Sequence, residues 1–221
     1  MKKALMAWSG GKDSALALYE IQKKREFEIA ALLTTITEDY NRISMHGVRR
    51  DLLEKQAKSL GYPLEIVNIP KKCDNRKYQA RMKATLERCI ERGVSCVVFG
   101  DIYLEDVRKY RERNLSKVGM QGVFPLWKRK TKKLARNFID LGFKAVITCV
   151  DSKVFNGKFV GRDYNGKILS ELPPEIDPCG ENGEFHTFVY DGPIFNKKIR
   201  FTKGEVVLRD NRFYFCDLLP V

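Results

Sequence analysis

Apolar residues come in short blocks through the first two-thirds of the chain. Runs at 3–8, 29–36, 64–69, 95–99 and 143–149 read as strands, and the stretches between them repeat apolar residues at three- and four-residue spacing, the period of an amphipathic helix. The segment 47–60, GVRRDLLEKQAKSL, places Val48, Leu52, Leu53, Ala57 and Leu60 on one face, and Gly61 and Pro63 close it. This β-α-β-α rhythm predicts an α/β fold with a parallel five-stranded sheet and crossover helices. Such sheets bind ligands beyond the carboxyl ends of their strands.

After about residue 150 the texture changes. Asn156-Gly157, Asn165-Gly166, Asn182-Gly183 and Asp210-Asn211 mark turns between short strand-like runs such as TFVYDG and RFYFCDL, so a smaller, β-rich α+β unit is expected there. The boundary is placed after GVFPLW at 122–127, giving domains 1–127 and 128–221. Nothing there resembles a flexible linker, which predicts that the two parts pack together. Internal repeats and low-complexity tracts are absent from the sequence.

Composition narrows the class. A hydrophobic share of 43% and 8 prolines in 221 residues suit a globular chain with a real core. Met1-Lys2-Lys3 followed by Ala4–Trp8 imitates the start of a signal peptide, but Ser9-Gly10-Gly11-Lys12 ends the apolar part early. No stretch approaches the roughly 18 to 20 apolar residues of a membrane span. A soluble, cytoplasmic protein is expected. The 6 cysteines (Cys73, Cys89, Cys96, Cys149, Cys179, Cys216) form no C-x-x-C pair and are joined by only 2 histidines, so reduced core thiols are expected rather than a zinc site.

The net charge of +13 gathers in KKR at 23–25, Lys71-Lys72 and KRKTKK at 128–133. These runs suit RNA, an acidic protein or a polyphosphate, but they lack interleaved aromatic residues, and a solvated surface is the favoured reading over nucleic acid.

The chemistry is concentrated in SGGKDS at 9–14, between the first strand and a helix expected at 15–24. Free backbone N–H groups and the positive end of the helix dipole converge there, and glycine lets a ligand come close, so a phosphate chain is the natural guest. An ordinary turn capped by Ser9 or Asp13 is the plainer alternative. A Walker motif is excluded because Met6 stands where its first glycine belongs, and G-x-G-x-x-G cannot be laid on the loop.

Ser9-Gly10-Gly11-Lys12-Asp13-Ser14 resembles the PP-loop of the ATP pyrophosphatases, whose ATP domain is Rossmann-like, of the HUP class. The resemblance implies that ATP is cut between its α and β phosphates and that AMP goes onto a substrate oxygen. Ser9, Ser14 and the amides of Gly10 and Gly11 then hold the outer phosphates, and Lys12 offsets the leaving group's charge. Asp13 is read as a Mg²⁺ ligand or, alternatively, a helix cap.

Nearly the whole chain is similar to one branch, the diphthine–ammonia ligase family and its bacterial relatives. SMHGV at 44–48, GDIYLEDVRKYRE at 100–112, PLW at 125–127, GRDYNGK at 161–167 and DPCGENGEFHTFVYDGPIF at 177–195 carry the likeness. The resemblance implies an AMP-forming ligase that makes an acyl-adenylate from a carboxylate and lets ammonia attack it, with ATP, Mg²⁺, ammonium and the carboxylate as its partners. Gly100, Arg108 and Glu112 match the family's glycine-led helix, Gly161-Arg162 its glycine-arginine pair, and Gly180, Glu181, Gly183, Glu184 and Thr187 its late motif. His46 and Asp101 are expected beside the nucleotide, and Arg108, Glu112, Arg162, Gly183 and Thr187 on the substrate. Glu181, Glu184 and His186 join Lys12 and Asp13 at the reacting centre. Asn182-Gly183 also has a plain reading, a hairpin turn whose flanking glutamates face water. Arg108 reads equally as a surface arginine on a charged helix.

Asn182 replaces a glycine of the diphthine-specific members, His186 a glutamate and Tyr110 an arginine. The substrate therefore stays open between diphthine, a corrinoid-related carboxylate and another acid. Rival readings are a tRNA-modifying ATP pyrophosphatase and a nucleotide-binding regulator without turnover. No glutaminase signature accompanies the ligase motifs, so free ammonium is the expected nitrogen donor.

Overall fold

Ala4, Leu5 and Met6 are all fully buried, and they divide between two cores: Ala4 and Met6 pack on one face of the sheet and Leu5 on the other. Three consecutive buried residues require cover on both faces, the condition of a central strand in a parallel sheet. The computed structural model describes residues 1–43, 46–154 and 156–221. Ser44 and Met45 of the expected 44–48 motif lie outside them.

The first part runs β1 (Lys2–Ala7), α1 (Lys12–Lys24), β2 (Phe27–Thr37), β3 (Arg42–Ile43), α2 (Arg50–Leu60), β4 (Leu64–Ile69), α3 (Asn75–Glu91), β5 (Val94–Val98), α4 (Glu105–Ser116) and β6 (Gln121–Val123). Five strands are parallel, in the order β4-β2-β1-β5-β6, and the two-residue β3 adds an antiparallel rung to the end of β2. The chain leaves β1 for β2 on one side and reaches β5 on the other. The carboxyl end of β1 is therefore the topological switch point, where such sheets open a crevice.

The second part consists of α5 (Thr131–Asp140), β7 (Lys144–Asp151), β8 (Asp163–Tyr164), α6 (Gly166–Glu171), β9 (Phe185–Asp191), β10 (Phe201–Arg209) and β11 (Phe213–Pro220). Its sheet is antiparallel, in the order β10-β11-β7-β8, with β9 on the other side of β7. The apolar run at 143–149 is thus the centre of this second sheet, and the fifth parallel strand is the short β6. Every residue of β7 from Ala145 to Asp151 is buried, and a run covered on both faces carries no mark of which sheet it joins.

The turn signals also divide. Asp210 and Asn211, with φ of 53° and 49°, turn the three-residue loop 210–212 that joins β10 to β11, closed by Arg212 N donating to Arg209 O. Asn165 instead caps α6, its side chain accepting from Ile168 N, and Asn156 accepts from Lys158 N at a single 3₁₀ turn. The larger core contains residues of both sheets, among them Met6, Val146 and Phe188, together with Leu18 of α1.

Candidate active site

The loop after β1 takes its shape from three glycines. Gly10 has φ +76°, a left-handed conformation that its lack of a side chain permits. Its carbonyl accepts from Val189 N (2.9 Å) and Gln56 Nε2 (3.0 Å). Gly11 precedes α1, and a Cβ there would come within 3.0 Å of the His46 ring. The third is Gly100, past β5, where a Cβ would sit 2.8 Å from the backbone of Asp13 and push the start of α1 out of place.

The hydroxyls close the loop on itself. Ser14 Oγ donates to Gly11 O (2.8 Å), Gly11 N to Ser9 Oγ (3.3 Å), and the two Oγ atoms are 3.3 Å apart. The first α1 amide, Lys12 N, is capped from the second sheet by Thr187 Oγ1 at 3.1 Å, while Asp13 pairs with Lys12. The cap that the plainer alternative gave to Ser9 or Asp13 is supplied by a threonine 175 residues away. Asp13 and Ser14 follow within the first turn, where amides have no intrahelical acceptor.

Lys12 is buried. Its Nζ donates to Asp13 Oδ2 (2.8 Å) and to the carbonyl of Cys179, and lies 5.2 Å from the Phe185 ring centroid. Burial is the largest influence and disfavours the ammonium, but the charge and hydrogen bond of Asp13 together with Cys179 and Glu181 outweigh it, and Lys12 stays above its ordinary pKa. The Asp13 carboxyl is raised, first by burial and further by Asp177 and Asp101, with Lys12 only partly compensating. Its side chain remains 30% exposed.

These groups form one end of a cavity of about 560 Å³. Thr34 and Thr35 of β2 lie along its wall, and its far lobe runs between α3 and α4 over Phe99. Opposite the loop stands the segment 177–187. Gly180, at φ +65°, approaches Phe185 O too closely for any side chain, with a Cβ at 2.8 Å. This turn sends Glu181 across to the first sheet, where its Oε1 accepts from Ile102 N at 2.8 Å. Burial raises its carboxyl to about 7.

His46 and His186 stack at 4.5 Å, tilted by 35°, and His46 Nδ1 lies 3.3 Å from Thr187 O. Burial lowers His46 to about 4 and holds His186 well below 6.5, so both rings are neutral at physiological pH. The ring in place of the relatives' glutamate is therefore uncharged.

Ser9, Gly11, Lys12, Asp13 and Ser14 line the cavity with His46, Gly100 and Asp101; so do Glu181, Gly183, His186 and Thr187. Other expected residues do not. Glu184 turns inward, 6% exposed, and its Oε1 accepts from Asp177 N (3.2 Å) and Asn182 Nδ2 (2.9 Å). Its Oε2 is buried without a partner. Arg108 pairs with Glu112 (2.8 Å), its guanidinium 4.7 Å from both Phe124 and Trp127 ring centroids. Arg162 pairs with Glu171 (2.6 Å) over Phe159. All three lie off the cavity wall because their helix or turn faces away. On α4 the arginine that enters is Arg111, one turn beyond Arg108, beside Tyr110 and Asn114; it is bound to Asp101 (2.6 Å) and stacked on Phe99 (4.5 Å).

Gln56 is a further site residue that the sequence reading missed. It is fully buried on α2, accepts from Trp8 Nε1 (3.0 Å), and donates to Gly10 O and Val189 O (2.6 Å). Its signal was an amide standing on the otherwise apolar stripe of Leu52, Leu53, Ala57 and Leu60. All six cysteines are free thiols. Among the described residues no three His, Cys, Asp or Glu side chains gather as a metal cluster, and no helix is long and apolar enough to cross a membrane.

A glycine–lysine–serine loop at the switch point of a parallel sheet, opening a helix and facing a shared cavity, defines a nucleotide-binding protein of the PP-loop type. Family models agree: the diphthamide synthase N-terminal domain matches residues 1–122 and its C-terminal domain residues 130–217. The chain belongs to the diphthamide synthase family. It is 29% identical over 225 residues to a diphthine–ammonia ligase of Schizosaccharomyces pombe, covering 93% of this chain and 37% of that protein. It is 31% identical over 118 residues to a diphthine–ammonia ligase of Homo sapiens, covering 48% and 42%. The chain thus spans about two fifths of the length of these curated relatives. Among solved structures, the U34-tRNA thiolase NcsA from Methanococcus maripaludis with its [4Fe-4S] cluster is similar at 16% identity and a TM-score of 0.39, covering 64% of this chain and 58% of that one.

Proposed function

We propose that the chain is an ATP-dependent, amide-forming ligase that adenylates a carboxylate and transfers ammonia to it. Residues 1–127 hold ATP, and 128–221 supply the substrate and ammonia side. The observation that carries this reading is the facing of two walls across one cavity: a phosphate-binding loop on one side and Glu181, with its raised carboxyl, on the other.

In the proposed reaction the loop amides and the Ser9 and Ser14 hydroxyls bind the β and γ phosphates, while Lys12 and the α1 dipole balance their charge. A substrate carboxylate oxygen attacks the α phosphorus, the bond to the bridging oxygen breaks, and pyrophosphate stays in the loop. Ammonia then attacks the acyl carbon, AMP leaves with the shared oxygen, and a nitrogen proton passes to Glu181. Around neutral pH a carboxyl near 7 is partly ionised, as a base for this step requires. Glu184 acts as a positioning residue that fixes 177–184 through Asp177 and Asn182. His46 and Thr187 shape the loop side, and neutral His186 keeps a second charge away from the attacking nitrogen.

Magnesium fits this site. It favours oxygen ligands, one or two carboxylates completed by substrate phosphates, and Asp13 offers a part-exposed carboxylate whose ionised form lacks full compensation. When bound, the ion would neutralise phosphate charge beside Asp13.

The test is a reaction with ATP, Mg²⁺, ammonium and a panel of carboxylic acids, one labelled with ¹⁸O. Acid-dependent AMP and pyrophosphate, with one label passing into AMP, are expected. ADP as product, or AMP without label, would overturn the adenylation. Turnover supported by glutamine alone would overturn free ammonium as donor.

A further inference from the structure

The second sheet ends in an open strand. β10 is hydrogen-bonded to β11 along one side, and no other strand among the described residues pairs with it. It is nine residues long and contains no proline; its register against β11 shifts between Lys203 and Val206 and is regular from Val206 to Arg209, so the free side there presents a row of unpaired amides and carbonyls. Along it Val206 is 53% and Leu208 48% exposed. Apolar side chains beside a bare ladder edge are what an additional strand covers.

The charges on this edge point to the occupant. Glu205, Val207 and Arg209 share one face by alternation and line a cavity of about 360 Å³, while Val206 and Leu208 share the other. Arg209 lies over the Tyr40 and Phe215 rings, and neither it nor Glu205 has an ion-pair partner among the described residues. The sequence from 205 to 209 thus reads acidic, apolar, apolar, apolar, basic, which is complementary to its own reverse.

We propose that β10 docks a second copy of this chain, strand against antiparallel strand, about a two-fold axis at Val207. Symmetry requires one residue to face its own counterpart in such a ladder, so only a few registers are available. With Val207 on the axis, each Glu205 faces Arg209 of the other copy, and each Val206 faces Leu208. Moving the axis to Val206 would oppose Lys203 to Arg209, two like charges. Moving it to Leu208 would set Val206 against Asp210 and leave Glu205 opposite Asn211. Of these three registers only the Val207 one satisfies both charge and apolarity, and an axis at Gly204 would fall where β10 shifts register between Lys203 and Val206; the Val207 pairing joins two five-stranded sheets edge to edge. Each chain's net charge of +13 opposes the approach at long range, so association strengthens as salt screens it up to physiological strength.

The experiment measures mass in solution by light scattering over a concentration series at ~0.15 M salt. A species of twice 25.5 kDa is expected. Glu205→Arg makes both facing pairs repulsive and should raise the dimer dissociation constant by at least ~10-fold. The double variant Glu205→Arg/Arg209→Glu reverses the pairs and should restore the dimer. Circular dichroism of each variant confirms that the fold is retained. A wild-type mass of 25.5 kDa throughout would overturn the proposal. So would a dimer indifferent to Glu205→Arg, or one that the double variant fails to recover. None of these readings depends on ATP turnover.

Discussion

The two walls of the cavity hold their polar groups by opposite means. On the loop wall the partners are near neighbours in sequence: Ser9 and Ser14 are five residues apart, Ser14 and Gly11 three, and Lys12 adjoins Asp13. On the facing wall Glu184 ties only its own turn, but the ties that fix the wall against the rest of the molecule are long. Thr187 reaches Lys12 across 175 residues, Gln56 reaches Val189 across 133, and Glu181 reaches Ile102 across 79. The local wall carries its charge on groups the chain brings together unaided, whereas the distant wall depends on both sheets being folded and docked. Chemistry and stability should therefore separate when each wall is altered.

The largest effect is expected on the local wall. Asp13→Asn keeps the size of the side chain and removes the carboxylate proposed to meet Mg²⁺. AMP formation should fall on the order of 10³-fold. Loss of the Lys12 pairing is offset first by no longer burying a charge and further by relief from Asp177 and Asp101, so the melting temperature should move by no more than about 4 °C. Unchanged kinetics would show that the loop works by shape alone and erase the distinction between the walls.

This division also explains how far the sequence could be read. The run at 64–69 is β4 to the residue, an edge strand whose apolar residues are interrupted by Glu65 and Asn68, and those at 3–8 and 95–99 are β1 and β5 shifted by one, apolar blocks because these inner strands are covered on both faces. The loop was legible for the same local reason: its glycines and hydroxyls are contiguous. Gln56 was not, since its three partners, Trp8 just past β1, Gly10 in the loop and Val189 in β9, are all far from it in sequence. Arg108 was preferred to Arg111 because the motif marks the residue but not the helix face, and one turn of α4 decides which side chain enters. Glu181 and Glu184 look equivalent as letters. The turn at Gly180 sends one into the cavity and the other into its own loop.

Those two glutamates give the next test. Glu181→Gln should reduce ammonia transfer about 10²-fold and abolish the limb of the pH–rate profile near 7. Its folded pKa lies above the unfolded value, so the stability it contributes is fully present below pH 4.5 and is lost as pH rises through about 7. Gln carries no such charge, and the variant should melt higher than wild type at pH 8 but equally at pH 4. Glu184→Ala should behave in reverse. Stripping the acceptor of Asp177 N and Asn182 Nδ2 costs about 2 kcal/mol. The limb near pH 7 should remain. Matching pH profiles in the two variants would mean that the glutamates act as a unit.

The smallest effect belongs to the histidines, and its sign is opposite to that of Glu181. Burial depresses both rings, His46 to about 4 and His186 well below 6.5, so the folded state favours their neutral forms. The stability they contribute is present above pH 6.5 and is lost as pH falls toward about 4, because the unfolded chain takes up the protons first. Replacing both rings, as His46→Gln/His186→Gln, should flatten the melting temperature against pH between 6.5 and 4. Turnover by the wild type should show no histidine limb between pH 6 and 8. The rings stack on each other at the cavity wall, against Thr187 and beside Gly11, each only part-exposed, and their neutrality rests on that packing staying closed. A wild-type limb near 6.5 that disappears with His186→Gln would place that ring in solvent. The distant wall would then be open in solution, and its long ties would no longer account for the shape of the cavity.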